Sequence, residues 1–161
     1  MKNILVVYFS RSGYTRRVAE YIAHAVGADC EAILEGRSRR GLLGYWRSAR
    51  EGMRGIASDI EPGSANPRDY RLVVLGSPVW AGHVSSPVRA YIARHKTDLS
   101  NVALFCTEGG SGAPRVLQAM AALCGRTPVA TAFFTDRDID GAGFDSKAAP
   151  FISALTARKA A

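Results

Sequence analysis

Short, uninterrupted apolar runs separated by longer amphipathic stretches constrain this chain more than any other feature. ILVVYF (4–9), LVVLG (72–76), VALFC (102–106) and VATAFF (129–134) are continuous rather than alternating, the pattern of strands buried on both faces. CEAIL (30–34) fits a further, weaker strand. Between the runs, apolar positions shift to helical spacing. Val18, Ala19, Ile22, Ala23 and Val26 form a stripe that Gly27 closes. Pro87 suits the first turn of a helix capped by Ser85 or Ser86, with Val88, Tyr91 and Ile92 facing inward. Val116, Leu117, Met120, Ala121 and Cys124 make a third stripe, and Phe151, Ile152 and Leu155 a last one. Such alternation implies a parallel sheet covered on both faces, because a parallel crossover needs a helix-length return. Five strands and about five helices fit an α/β fold of three layers, doubly wound.

Composition agrees with one soluble globular domain spanning 1–161. Hydrophobic residues make up 47% and charged residues 22% of the 161, which excludes a disordered tail or a disulfide-held miniprotein. No internal repeat appears, and EPGSANPR (61–68) is too short a linker to separate domains. The apolar runs are too short to cross a bilayer. No small-residue cleavage site follows the first run, so a cytoplasmic location is expected. Cys30, Cys106 and Cys124 lie far apart, with neither CxxC nor metal-ligand spacing. They read as reduced, mostly buried thiols, and no metal is expected.

The net charge is +7, and its placement says more than its size. Between Arg37 and Arg54 there are six arginines and one acid, Glu51, a local net of +5. Leu42, Tyr45, Trp46, Ala49, Met53 and Ile56 share one helical face there, with Arg47, Arg50 and Arg54 on another. That pattern fits a crossover helix with a solvated basic face. It also fits a surface for an acidic redox partner, a nicotinamide-cofactor phosphate or a membrane surface. Nucleic acid is disfavoured, since no aromatic interleaving or recognised module accompanies the arginines.

In open α/β sheets, ligands bind beyond the carboxyl ends of the strands. Three loops in that position carry specific signals. Ser10-Arg11-Ser12-Gly13-Tyr14-Thr15 places three hydroxyls and a glycine at a helix amino end, where unpaired N–H groups and the helix dipole attract anions. A phosphate site without lysine or metal is expected. The segment is neither a Walker A loop nor a GxGxxG turn. Gly76-Ser77-Pro78-Val79-Trp80-Ala81-Gly82-His83 puts a tryptophan in a Pro/Gly-shaped loop, where a flat amphipathic ring suits stacking on a planar ligand. His83 is a weaker candidate for proton donation than for local hydrogen bonding. Thr107-Glu108-Gly109-Gly110-Ser111-Gly112 lets main chain approach a ligand edge. Position 112 is glycine where thiol phosphatases carry arginine, which disfavours that chemistry at Cys106.

YFSRSGYT (8–15), GSPVWAG (76–82) and CTEGGSG (106–112) together resemble the flavodoxin-like FMN-binding proteins. The resemblance implies a five-stranded parallel sheet of order 2-1-3-4-5 and bound FMN. It implies that Ser10, Arg11, Ser12, Gly13, Tyr14 and Thr15 hold the phosphate. Pro78, Val79, Trp80 and Gly82 would then flank the flavin, and Thr107, Glu108, Gly109 and Gly110 meet its other edge. Three departures stand out. Tyr14 occupies a position where asparagine is common, the third loop lacks an aromatic, and the chain is basic where electron-carrier flavodoxins are typically acidic.

Three functions follow as expectations. The first is an FMN-dependent electron-transfer protein working between protein partners. The second is an enzyme of the same fold, an NAD(P)H:quinone reductase or one similar to menaquinone-dependent protoporphyrinogen oxidase. That second resemblance rests on Gly82-His83 and PVRAYIARHKTDLSN (87–101). The third is a flavin-free binding module that uses the basic segment.

Overall fold

The computed structural model describes residues 2–36 and 59–160. In chain order the elements are β1 (Lys2–Tyr8), α1 (Tyr14–Val26), β2 (Asp29–Ala32), β3 (Tyr70–Trp80), β4 (His83–Val84) and α2 (Ser86–His95). There follow β5 (Val102–Glu108), α3 (Ala113–Cys124), β6 (Thr131–Thr135), α4 (Asp136–Asp140) and α5 (Phe144–Ala160). Five strands pair in parallel in the order β2-β1-β3-β5-β6, and β4 adds an antiparallel pairing to β3. Numbering the parallel strands alone gives the expected 2-1-3-4-5. The basic stretch from 37 to 58, including the expected helical face of Leu42 to Ile56, lies outside the described residues.

The period of two along β1 separates the layers. Leu5 and Val7 join a buried cluster with Val88, Tyr91 and Ile92 of α2 and Val116, Leu117 and Met120 of α3. Ile4, Val6 and Tyr8 face the opposite cluster, with Val18, Ile22 and Val26 of α1 and Phe151 and Leu155 of α5. Central strands β1, β3 and β5 are thus covered on both faces, as their continuous apolar runs require. The edges are not. In β6 Phe133 is 37% exposed, and in β2 Asp29, Cys30 and Ala32 are exposed, since an edge strand lacks a neighbour on one side. Cys30 is therefore an exposed thiol, while Cys106 and Cys124 are buried. Among the described residues no helix is long and apolar enough to cross a membrane.

Helix ends follow local chemistry with one exception. Gly27 ends α1 in the left-handed region at φ 61, and Gly125 ends α3 likewise at φ 64. Ser85 stands at the N-cap of α2 but its side chain makes no cap bond. Its hydroxyl lies 3.0 Å from that of Ser77 in β3, and its N–H donates to the same Ser77 oxygen at 3.1 Å. The expected cap is diverted into a buried pair that ties the start of α2 to β3.

At α4 the cap is reciprocal. Thr135 Oγ1 accepts from the Asp138 N–H, while the Asp138 carboxylate accepts from the Thr135 N–H and hydroxyl, each at 2.7 Å. Lys147 donates to the same carboxylate at 2.5 Å. Lys147, with these bonds from Thr135, holds the Asp138 carboxyl at about 2, below its usual 3.8. A folded-state value below the unfolded one stabilises the fold above the unfolded value and withdraws that contribution as pH falls through the folded one. Urea midpoints measured from pH 7 to pH 2 should therefore drop between about 4 and 2. Asp138→Asn should flatten that part of the curve and lower the midpoint at pH 7.

Candidate functional site

The loop after β1 enters α1 through Gly13, which adopts φ 98. A side chain is strained at that angle, and no atom lies within 4 Å of the place a Cβ would occupy. The space above the turn is open. Among the described residues no side chain caps α1, so the N–H groups of its first turn face outward with the positive end of the helix dipole. Ser10 Oγ accepts from the Gly13 N–H at 3.1 Å, which fixes the turn and leaves the Ser10 hydroxyl hydrogen available to another acceptor. Ser12 is exposed beside it. An anion of phosphate size matches this arrangement of donors.

Thr15 differs from the serines. It is buried, and its hydroxyl lies 2.7 Å from that of Thr107 at the end of β5. The pair pins the first loop to the third strand of the site. Removing one partner strands a buried hydroxyl, at a cost of about 1–3 kcal/mol, whereas removing both is nearly neutral. Thr15→Val and Thr107→Val should each lower the urea midpoint, and the double variant should recover most of the loss. Tyr14 points elsewhere. Its hydroxyl donates to Asp140 at 2.9 Å, and Arg17 bonds the same carboxylate at 2.6 Å, so Tyr14 offers the site its main chain.

The second segment is not the loop its Pro/Gly content suggests. β3 continues through Gly76, Ser77, Pro78, Val79 and Trp80, because Gly76–Pro78 stay in register with Phe105–Thr107 of β5. It then turns back as a tight hairpin, with Val79 opposite Val84 and Trp80 opposite His83. Ala81 at φ 48 and Gly82 at φ 75 form the two-residue turn, and positive φ at both positions matches the right-handed twist of the strands. Trp80 is half-buried at the hairpin tip. The edge-to-face contact of its indole with Phe9 has centroids 5.4 Å apart, and the Arg11 guanidinium lies 4.4 Å from the ring centroid. His83 is exposed.

In the third segment β5 runs on to Glu108, and Gly109, Gly110 and Ser111 are exposed. The buried Glu108 carboxylate accepts from the Ala113 N–H at 2.9 Å, capping α3, whose N-cap residue Gly112 has no side chain to do so. Glu108 is thus committed to the scaffold, and its main chain remains for a ligand. Gly112 sits so close to the hairpin that a Cβ there would come within 3.2 Å of Gly82 Cα. A Cβ at Gly109 would meet Asp136 Oδ2 at 2.9 Å.

The structure therefore gathers the three expected segments at one end of the sheet. Arg11 and Phe9 join the first to Trp80, the threonine pair joins it to β5, and Gly112 joins the third to the hairpin. Sequence reasoning missed Phe9, the Ser77–Ser85 pair and the contact role of Gly112. Only Gly112 carried a signal, as the last residue of the GGSG run.

A family model for flavodoxin matches residues 3–131. The chain belongs to the flavodoxin family. Solved structures agree in fold. A flavoprotein from Lactobacillus acidophilus, crystallised in complex with FMN, superposes with a TM-score of 0.70 at 22% identity, covering 92% of this chain and 99% of that one. A putative flavoprotein from Bacteroides eggerthii gives 0.65 at 25% identity over 92% and 99%. A flavodoxin from the domain Archaea gives 0.56 at 18% identity over 99% and 97%. No curated protein matches the chain significantly. All three clustered segments lie within the residues that the family model matches.

Proposed function

We propose that this flavodoxin-family protein binds FMN non-covalently and transfers electrons through it. One observation carries the reading: the amino end of α1, entered through Gly13 and open above it, stands one arginine's reach from the Trp80 indole. An anion subsite and an aromatic subsite so joined suit a phosphorylated planar ring. The residues fit the group. Ser10, Ser12, Gly13 and the main chain of Tyr14 and Thr15 hold the phosphate, Trp80 meets the ring, and the main chain from Glu108 to Gly110 borders its other edge. When bound, FMN would supply one- or two-electron redox chemistry. The FMN-bound Lactobacillus relative supports the assignment.

The protein's part is electrostatic and steric. Two unit charges about 10 Å apart at an effective dielectric near 20 interact by roughly 1.7 kcal/mol. Positive charge near the ring makes addition of electrons easier by that order. The two-electron-reduced couple should be less negative than in acidic family members, and a redox titration returning a strongly negative second potential would contradict this.

A two-electron enzyme acting between NAD(P)H and a quinone is the second reading. The exposed, side-chain-poor Gly109-Gly110-Ser111 edge favours it, because that segment itself carries no aromatic residue. The deciding experiment is FMN titration of the purified protein, followed by visible spectra recorded during stepwise reduction. Saturable binding supports the cofactor assignment, and a protein that never takes up FMN overturns it. Rapid exchange with a reductase protein marks a carrier. Steady NAD(P)H oxidation with quinone marks the enzyme.

A further inference from the structure

The hairpin that carries Trp80 is short. It pairs Val79 with Val84 and Trp80 with His83, and a two-stranded ribbon of that length is marginal at best in water. Its base closes on polar atoms inside the fold. Ser77 and Ser85 are each 0% exposed. The Ser77 hydroxyl donates to the Pro78 carbonyl at 2.9 Å and accepts from the Ser85 N–H at 3.1 Å. With that proton spent, the 3.0 Å contact between the two hydroxyls is a bond from Ser85 to Ser77. One buried oxygen therefore joins the two ends of the hairpin. Ser85 also accepts from the Arg89 N–H through its carbonyl at 3.1 Å, so the same residue begins α2. The hydroxyl that would cap this helix is taken by the strand that ends in Trp80.

We propose that Ser77 and Ser85 are positioning residues for the aromatic subsite: their buried bonds keep the hairpin closed and hold the Trp80 indole where a planar ring meets it. This rests on the flavin reading above and deepens it. Stacking needs the closed hairpin, so the apparent dissociation constant rises as the closed fraction falls. The phosphate is held by a different element, the amino end of α1. Loosening the hairpin should therefore act on FMN and riboflavin by one common factor, because both present the same ring.

Dissociation constants for the two flavins, measured on wild-type protein, Ser77→Ala, Ser85→Ala and the double variant, test it. A second measurement needs no flavin: acrylamide quenching of Trp80 in a Trp46→Phe background, which leaves one tryptophan. Ser77→Ala leaves the Ser85 N–H and hydroxyl unpaired inside the fold, and should weaken both flavins equally, roughly 5- to 100-fold. The same change should raise the ligand-free quenching constant by about twofold, as the hairpin opens locally. Ser85→Ala keeps the N–H bond and should weaken both flavins by about 2- to 5-fold, which preserves the comparison if Ser77→Ala does not fold. The double variant should lose less than the product of the two factors, since the pair shares a bond. A lowered thermal midpoint with flavin constants and quenching unchanged overturns the proposal, because the pair then serves stability alone. A loss confined to FMN overturns it too, since that places the effect at the anion subsite. Wild-type protein that binds neither flavin overturns the cofactor reading and the positioning role with it, a failure distinct from the other two.

Discussion

Gly76→Ala is expected to lower the thermal midpoint by about 6–12 °C, from roughly 3 kcal/mol of lost stability in a chain of this size. Gly76 lies in the middle of β3, paired with Tyr8 of β1 on one side and Phe105 of β5 on the other. A Cβ placed there would approach the Phe105 ring at 2.2, 2.5 and 2.8 Å. Phe105 is fully buried between α1 and α5 with Phe134 and Val74. Its ring has no free volume into which to retreat, because cores are packed to crystal density. The cost is steric, so it should be relieved by trimming the ring. Phe105→Leu alone should destabilise, yet Gly76→Ala/Phe105→Leu should be more stable than the two single changes predict when added. Additive losses would mean that the glycine is needed for its backbone and not for the ring above it. The residue just beyond Gly76 in the register also matters for function. Phe9 N–H donates to the Gly76 carbonyl at 3.2 Å, so a shift of β3 here displaces the start of the phosphate loop.

That coupling shows where the sequence was informative and where it was not. The central strands were legible because burial on both faces leaves no polar residue in 4–9, 72–76 or 102–106. The edge strands were less so. The strand expected over CEAIL (30–34) runs instead over Asp29–Ala32, with three of its four residues exposed, and VATAFF starts its strand two residues late, at Thr131. Pro78 and the glycines of GSPVWAGH read as a loop, since proline and glycine normally end strands. Tertiary pairing decided otherwise: Ser77 and Pro78 stay beside Cys106 and Thr107, and the turn moved to Ala81-Gly82. In the site itself, residue types revealed position but not commitment. Thr15, Glu108 and Tyr14 all look available in sequence. In space Thr15 and Tyr14 are bonded to partners 92 and 126 positions away, which no local pattern encodes, and Glu108 caps a helix that begins five positions on.

Ser10→Ala/Ser12→Ala should weaken FMN binding about 150-fold while leaving riboflavin within roughly threefold of wild type. The reasoning separates the loop hydroxyls by what they already do. Thr15 is excluded from the variant because its hydroxyl is spent on Thr107 inside the fold. Ser10 accepts from the Gly13 N–H and can still donate its own proton outward, since a hydroxyl accepts and donates at once. Ser12 is exposed at the mouth of the turn. A hydrogen bond to a charged phosphate contributes about 1.5–3 kcal/mol, so losing two removes roughly 3–6 kcal/mol of binding. The lower end is the better expectation, because the N–H groups of α1 and its dipole remain. Stability should fall by no more than about 1 kcal/mol, the net worth of the single Ser10 bond. Riboflavin serves as the internal control. It shares the ring and lacks the phosphate, so an equal loss for both ligands would place the damage in the fold and not in the anion subsite. Unchanged FMN affinity in a folded variant would remove the first loop from the site altogether.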